Sequence, residues 1–255
     1  MDLTSADGES FVVDMSLTQG DKIRRIRQFW DDRAKQYGDG CRATLGEVRL
    51  RKLEIRTMIK YIRKFAPSLV LDVGCGNGYS TKMYAQNFPT IDFLGVDYSP
   101  EMIKHARKNV TRNCSFDTAD VLDIGSMPRG RFDLIITQRC LQNLPDYARQ
   151  RDAIYNLISL KAPDGRLLLM ECSKTGVAQL NRVRKQFCRS PLNNIEPWHN
   201  CFFVDETIKE DFKADIVYFS STYMFISKVI HRRLSLVGYW LPPIGKFGYD
   251  RLYIL

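Results

Sequence analysis

The residues able to do chemistry gather at the ends of short apolar runs. Residues 70–80 read Val-Leu-Asp-Val-Gly-Cys-Gly-Asn-Gly-Tyr-Ser, a buried strand running into Gly74, Gly76 and Gly78 and straight on into a helix. Glycines there permit a tight turn, close backbone approach to a ligand, and N–H groups exposed at a helix N-terminus. A dinucleotide-binding turn would space its glycines Gly-x-Gly-x-x-Gly and seat a pyrophosphate on those N–H groups. Here the third glycine comes one residue early, and Asp72 sits just before the turn. A carboxylate there repels pyrophosphate and suits a ligand carrying an ammonium group. A second apolar run ends in Gly95-Val96-Asp97, nineteen residues beyond Gly78. The two acceptor oxygens of Asp97 match the two hydroxyls of a ribose. A third run ends in Asp120-Val121, an acceptor side chain followed by a free backbone N–H, which together can read an adenine edge. Singly, a Gly-rich turn is often a loop and an Asp at a strand end often a cap. In this order, at successive strand ends along one sheet edge, they are a much stronger signal of a ligand with an ammonium group, a ribose and an adenine.

The elements that must position these residues follow from periodicity. Two helices, 21–37 and 45–65, come first; the second places Val48, Ile55, Ile59 and Ile62 on one face and is stopped by Pro67. Short apolar runs then alternate with helical stretches: strands at 69–73, 92–96, 115–119, 132–137 and 166–172, with helices at about 79–88, 99–110 and 147–160. This alternation predicts an α/β fold, a doubly wound and mostly parallel sheet with helices on both faces. The remainder reads as a helix at 177–188, a Pro/Asn/Trp-rich loop at 190–204, a short helix at 205–212, and strands at 216–220 and 249–255. Domain boundaries are expected at 1–18 (a loose acidic tail), 19–66 (lid helices) and 67–255, with substrate-cap insertions at about 173–204 and 222–246; packing excursion is the alternative for the second insertion.

With these motifs in place, the sequence resembles the class I S-adenosylmethionine-dependent methyltransferases. VLDVGCGNGYS, GVDYSPEMIKHARKN, DTADVLDI, FDLIITQRCLQNLPD and LKAPDGRLLLMEC are similar to that family's successive motifs, over roughly residues 68–172. The resemblance implies a seven-stranded sheet whose last strand runs antiparallel, and S-adenosylmethionine as cofactor. It implies cofactor contacts from Asp72, Gly74, Cys75, Gly76, Asn77 and Gly78 around the methionine part, and from Asp97 on the ribose. Asp120 and Val121 would meet the adenine, Tyr98 and Met102 flank its ring, and Gln138 lie beside the sulfonium. The family's usual Gly-Gly before the fifth strand is Asp164-Gly165 here, a minor departure that keeps one flexible residue. FWDDRAKQYG resembles the lid helix of small-molecule members, by which Trp30, Arg33 and Tyr37 close over the cofactor and Arg33 pairs its carboxylate; plain packing of Trp30 and Tyr37 is the alternative.

Methyl transfer is an in-line displacement from an activated sulfonium, so the protein mainly aligns the acceptor and excludes water. An oxygen acceptor of high pKa also needs a base. The candidates are His199, in the loop Pro197-Trp198-His199-Asn200, and Glu171 at the end of the fifth strand, whose other reading is a cap for the following turn. The residues after the fourth strand read Thr137-Gln138-Arg139-Cys140-Leu141, not the Asn/Asp-Pro-Pro-aromatic of base-amino methyltransferases, and Cys140 lacks the Pro-Cys setting of a nucleophile. Looser likenesses to glycan- and sugar-modifying members make Arg139, Arg182, Trp198 and Asn200 candidate substrate residues, the arginines for an acidic or phosphorylated group. The expected acceptor is a small molecule or glycan, methylated at oxygen; the alternative is RNA or a nucleotide cap.

That alternative rests on charge. The net charge is +9, and the segment Lys22–Lys64 alone holds 14 Lys/Arg against 5 Asp/Glu, which reads either as an anion-attracting surface or as the solvated side of amphipathic helices. Seven scattered cysteines without a Cys-x-x-Cys pair, and three distant histidines, argue against a disulfide frame or a metal centre. No run reaches the length of a membrane span, since the nearest, 221–240, is broken by Lys228, His231, Arg232 and Arg233. The acidic N-terminus differs from a secretory signal, so the chain is expected in the cytoplasm.

Overall fold

The computed structural model describes residues 18–127, 131–193 and 198–255. The expected tail, apart from Thr18, and Pro197 therefore lie outside the described residues.

Seven strands form one sheet: β1 Leu69–Val73, β2 Asp92–Asp97, β3 Cys114–Thr118, β4 Phe132–Gln138, β5 Lys161–Cys172, β6 Asp215–Val217 and β7 Asp250–Ile254, in the order β3-β2-β1-β4-β5-β7-β6. The first five pair in parallel; β7 runs antiparallel to both β5 and β6. The helices are α1 Gln19–Tyr37, α2 Val48–Phe65, α3 Tyr79–Asn87, α4 Pro100–Ala106, α5 Tyr147–Leu160, α6 Lys174–Gln186, α7 Asp205–Phe212, α8 Ser221–Met224 and α9 Ser235–Trp240.

The sheet is buried on both faces, so its strands are continuous apolar runs rather than alternating ones. Val70, Leu134, Ile136, Leu168 and Met170 point into a core shared with α2, α3, α4 and α6, while Leu71, Ile135, Leu167 and Leu169 point into a second core with α5 and α7. The doubly wound sheet and its antiparallel last strand are as expected. Helix starts follow capping chemistry: Ser99, Asp146 and Ser173 each accept a backbone N–H from the first turn of α4, α5 and α6.

Because β1 lies between β2 and β4, the chain changes direction of winding at its carboxyl end. That is where a doubly wound sheet leaves a crevice, and α1 lies over it, packed against α4 through Trp30, Ala34, Tyr37 and Met102.

Candidate active site

The crevice holds a cleft of about 840 Å³ between the carboxyl ends of β1, β2, β3 and β4 and the inner face of α1. Its floor is Val73, Gly74 and Gly76; its walls include Asp97, Tyr98, Met102, Asp120, Val121 and Gln138; Ile23, Ile26 and Trp30 cover it. Behind the Gly-rich turn a smaller recess continues it, lined by Arg51, Asp72, Cys75, Asn77 and Ser80 and sharing Thr44, Gly74 and Gln138 with the cleft.

The turn's shape demands its glycines. Gly74 has φ +73°, and a Cβ there would lie 2.4 Å from Cys140 Sγ; one on Gly78, at φ +74°, would meet the Phe116 ring at 2.7 Å. Asp97 braces the turn, accepting Gly76 N–H (2.8 Å) and Ser99 N–H (2.9 Å). Burial raises its carboxyl to about 6 against those two bonds. Asp72 is likewise raised to about 6 by burial, countered by Thr81 Oγ1 (2.6 Å) and the charge of Arg51. Asn77 does not reach out to a ligand with its amide; it donates to the carbonyls of Gly38 and Gly40 (2.9 and 3.0 Å) and so ties the turn to the segment after α1. Asp120 accepts Leu122 N–H (3.0 Å) at the cleft mouth, and the Tyr98 hydroxyl is buried there without a hydrogen-bond partner among the described residues.

Gln138 is held at both ends of its amide. Its Oε1 accepts from Tyr84 (3.0 Å) and its Nε2 donates to Glu54 Oε2 (2.8 Å). Arg139 follows at φ +57°, a left-handed conformation costing about 1–2 kcal/mol outside glycine. Its guanidinium donates to Glu54 (2.7 Å) and to Asp250, anchoring that backbone turn. Burial alone would lower the Arg139 pKa, but Asp250, the Cys172 thiol and Glu54 outweigh it and push it up.

Several expectations need correction. Arg33 does not face the cleft: it donates to the carbonyls of Ala43 (2.8 Å) and Arg42 (2.7 Å) and lies over the Tyr37 ring, which is itself committed to packing. Arg139 touches the cleft wall, but three of its five N–H groups are taken by Glu54, Cys172 and Asp250, which tie the guanidinium to the domain rather than holding it out as a free clamp. Glu171 is a cap rather than a base. It takes Thr137 Oγ1 (2.8 Å) and the N–H groups of Cys140, Leu141 and Gln142 (3.1–3.2 Å), with its pKa raised to about 7 by burial. His199 is stacked on Phe29 at 4.2 Å, behind Trp30, and burial followed by the charge of Arg33 lowers it to about 4. A histidine so placed is neutral at pH 7 and does not line the cleft. Trp198 packs against Phe29 and Arg25 in the same aromatic cluster; Asn200 lies beside them, and Arg182 is exposed on α6. The 173–204 and 222–246 segments supply no lining residue to the described cleft. Of the basic residues in Lys22–Lys64, only Arg51 lines either cavity; at the rim Arg27 is taken up by Asp120 and the Tyr98 ring, and Lys22 by the Pro145 carbonyl.

Arg51 itself was missed. It is almost fully buried, its Nη1 reaches Ser80 at 3.4 Å, and its Nε has no hydrogen-bond partner among the described residues. The signal was present: Arg51 occupies a helical register with Ile55, Met58 and Ile62, all core positions, and an arginine in an apolar register is unexpected without a counter-charge.

Residues 67–219 match the family described as a methyltransferase domain. The chain belongs to that family, and its sheet and Gly-rich turn make it one of the class I, S-adenosylmethionine-dependent kind. It is similar to the trans-aconitate 2-methyltransferase of Methylobacterium radiotolerans, 38% identical over 100 residues covering 39% of this chain and 36% of that one. The corresponding enzyme of Deinococcus radiodurans is 38% identical over 80 residues, 31% of this chain and 30% of that one. The similarity thus spans only about a third of those relatives' length. In fold the chain is similar to magnesium protoporphyrin IX methyltransferase from Synechocystis PCC 6803, crystallised with S-adenosylhomocysteine: TM-score 0.58, 19% identity, 91% of this chain and 97% of that one.

Proposed function

We propose that this chain transfers a methyl group from S-adenosylmethionine to a small-molecule acid, at a carboxylate oxygen. The observation that carries the cofactor half is the recess behind the Gly-rich turn. There a buried arginine with an unpartnered Nε and a buried aspartate face one cavity, which fits the carboxylate and ammonium of an amino acid. The cavity runs on to Asp97 and Asp120, which fit a ribose and an adenine. When bound, the cofactor supplies a methyl group on a sulfonium that is already an activated leaving group.

The chain's own part is to bind, orient and dry the site. Arg51 and Asp72 hold the amino-acid end, and Asp97 the ribose. Gln138, fixed by Tyr84 and Glu54, presents a rigid amide edge at the cleft wall. Ile23, Ile26 and Trp30 of α1, facing Leu144 and Pro145, exclude water.

The acceptor follows from which bases are out of reach. His199 and Glu171 are engaged elsewhere, and burial pushes the Cys140 thiol, which does line the cleft, far up. An alcohol or sugar hydroxyl would need a base to lose its proton, whereas a carboxylate is ionised at neutral pH without help. The trans-aconitate methyltransferases are named for an acid acceptor. The apolar wall of Ile23, Ile26, Leu144 and Pro145 favours an acid with a hydrocarbon body. Radiolabelled transfer to trans-aconitate, to a panel of aliphatic and aromatic acids, and to glycans tests this. The expected product releases its label as methanol in mild alkali, the mark of a methyl ester. Alkali-stable label on a sugar or an amine would overturn the acid assignment.

A further inference from the structure

We propose that the segment from Ile230 to Ile244 docks the protein onto the surface of an anionic lipid bilayer. The described residues include eleven large apolar side chains that are exposed, and seven of them fall in these fifteen positions: Ile230, Leu234, Leu236, Val237, Trp240, Leu241 and Ile244. Trp240 and Ile244 are 70% and 68% exposed.

The patch is built, not frayed. α9 turns its small residues inward. Ser235 and Gly238 are buried, and a Cβ on Gly238 would stand 3.0 Å from the Tyr223 backbone of α8. Leu236, Val237 and Trp240 are thereby directed out to solvent, the reverse of a helix packed on a core. Arg49 of α2 fastens α9 through Ser235 Oγ (3.0 Å), and Arg56 through the Tyr239 carbonyl (2.6 Å) and ring (4.3 Å).

Charge selects the occupant. From Ile216 to Tyr249 there is no Asp or Glu, while His231, Arg232, Arg233 and Lys246 are exposed within that span; Lys228 is paired with Glu47 (3.0 Å) and stands apart from them. Beside α9, α2 carries Arg49, Lys52, Arg56, Lys60 and Arg63 at helical spacing on its solvent side, and its one acid, Glu54, is buried. An apolar tip with a Trp and a Tyr at its edge and a basic collar matches the acyl boundary and phosphate layer of an anionic membrane. A second copy of the same face would set like charges against each other. No described helix is long and apolar enough to cross a membrane, so the contact is interfacial. This docking does not depend on the acceptor, because none of these residues lines the cleft.

The test is co-sedimentation of the full chain with phosphatidylcholine vesicles, with and without phosphatidylserine. Three forms are compared: unaltered, W240S/I244S, and R232E/R233E. Binding is expected only to the anionic vesicles, to weaken with added salt, and to fall about tenfold or more in each variant. The melting temperature and S-adenosylmethionine affinity of the variants should stay unchanged, since the altered side chains are exposed. Absence of vesicle binding by the unaltered chain, or binding by either variant as strong as that of the unaltered chain, overturns the proposal. So does a concentration-dependent dimer in sedimentation velocity that W240S/I244S abolishes, because a second copy would then be what covers the patch.

Discussion

Replacing Arg51 by Met separates cofactor recognition from fold stability. The guanidinium is fully desolvated, which lowers its pKa, as does the charge of Arg139, and it is sustained by the charges of Glu54 and Asp72. Its weak contact with Ser80 and its unpartnered Nε leave donor capacity for a ligand carboxylate. A charge-assisted hydrogen bond contributes about 1.5–3 kcal/mol, so R51M should raise the S-adenosylmethionine Kd about 10- to 150-fold. Stability should hardly change, by about 1 kcal/mol or less, because the substitution removes a buried and incompletely bonded cation. Asp72 loses its neighbouring charge at the same time, so its carboxyl rises further above about 6. The variant's remaining affinity should therefore climb with pH as Asp72 ionises and meets the ligand's ammonium. Isothermal titration calorimetry between pH 6 and 8, beside thermal melts of the ligand-free protein, reads both effects. A Kd within about twofold of the unaltered protein would refute the assignment, as would a loss of melting temperature that accounts for the loss of affinity.

Other perturbations should act as follows. Glu171→Gln removes an acceptor facing three N–H groups and Thr137; it should cost about 1–3 kcal/mol in chemical denaturation while leaving the pH profile of methyl transfer in place, and loss of the acidic limb, where activity rises with pH, would restore Glu171 as the base. Gly74→Ala drives a Cβ into Cys140 at a positive φ, so cofactor binding should be lost, and Cys140→Gly should return part of it in the double variant; no recovery would show that the clash is not the cause. The ligand-free protein should lose thermal stability as pH rises from about 6.5 to 8. Glu171 is raised by burial to about 7, so up to that pH the native state holds a proton that the unfolded state has already released, and deprotonating it costs stability. His199 acts oppositely: with its pKa lowered to about 4, stability is lost as pH falls below the unfolded value near 6.5. A melting temperature higher at pH 8 than at 6.5 would contradict the carboxyl assignment.

The sheet and the strand ends that line the cleft were legible because their determinants are local. Val70–Ser80 encodes strand, turn and helix in one run, and strand ends can be counted from it, which brought Asp72, Asp97 and Asp120 to one edge correctly. The errors concern residues whose role depends on a partner distant in sequence. Arg139 reads as a free cation until Glu54 and Asp250 are placed beside it. Glu171 lies thirty residues from the N–H groups it caps, and His199 meets Phe29 across the whole domain. Arg51 carried a readable signal, a charge in an apolar helical register, but its counterpart Asp72 lies on another element. The 230–244 patch was equally visible as composition; only the inward turn of Ser235 and Gly238 shows which side of α9 faces out.

The position of β7 has a consequence for how the protein is made. It pairs with β5 on one side and β6 on the other, so β6 emerges from the ribosome before its one neighbouring strand among the described residues exists. Asp250, on the same strand, is also one of the two carboxylates that hold the left-handed turn at Arg139. Domains synthesised vectorially fold their early parts first. Here the first five strands can pair during translation, but the wall of the cleft stays unfastened until the seventh has been delivered and inserted. A nascent chain stalled before residue 250 would expose an open β5 edge and an unanchored β6, the form most prone to join a neighbouring chain and the natural substrate for a chaperone.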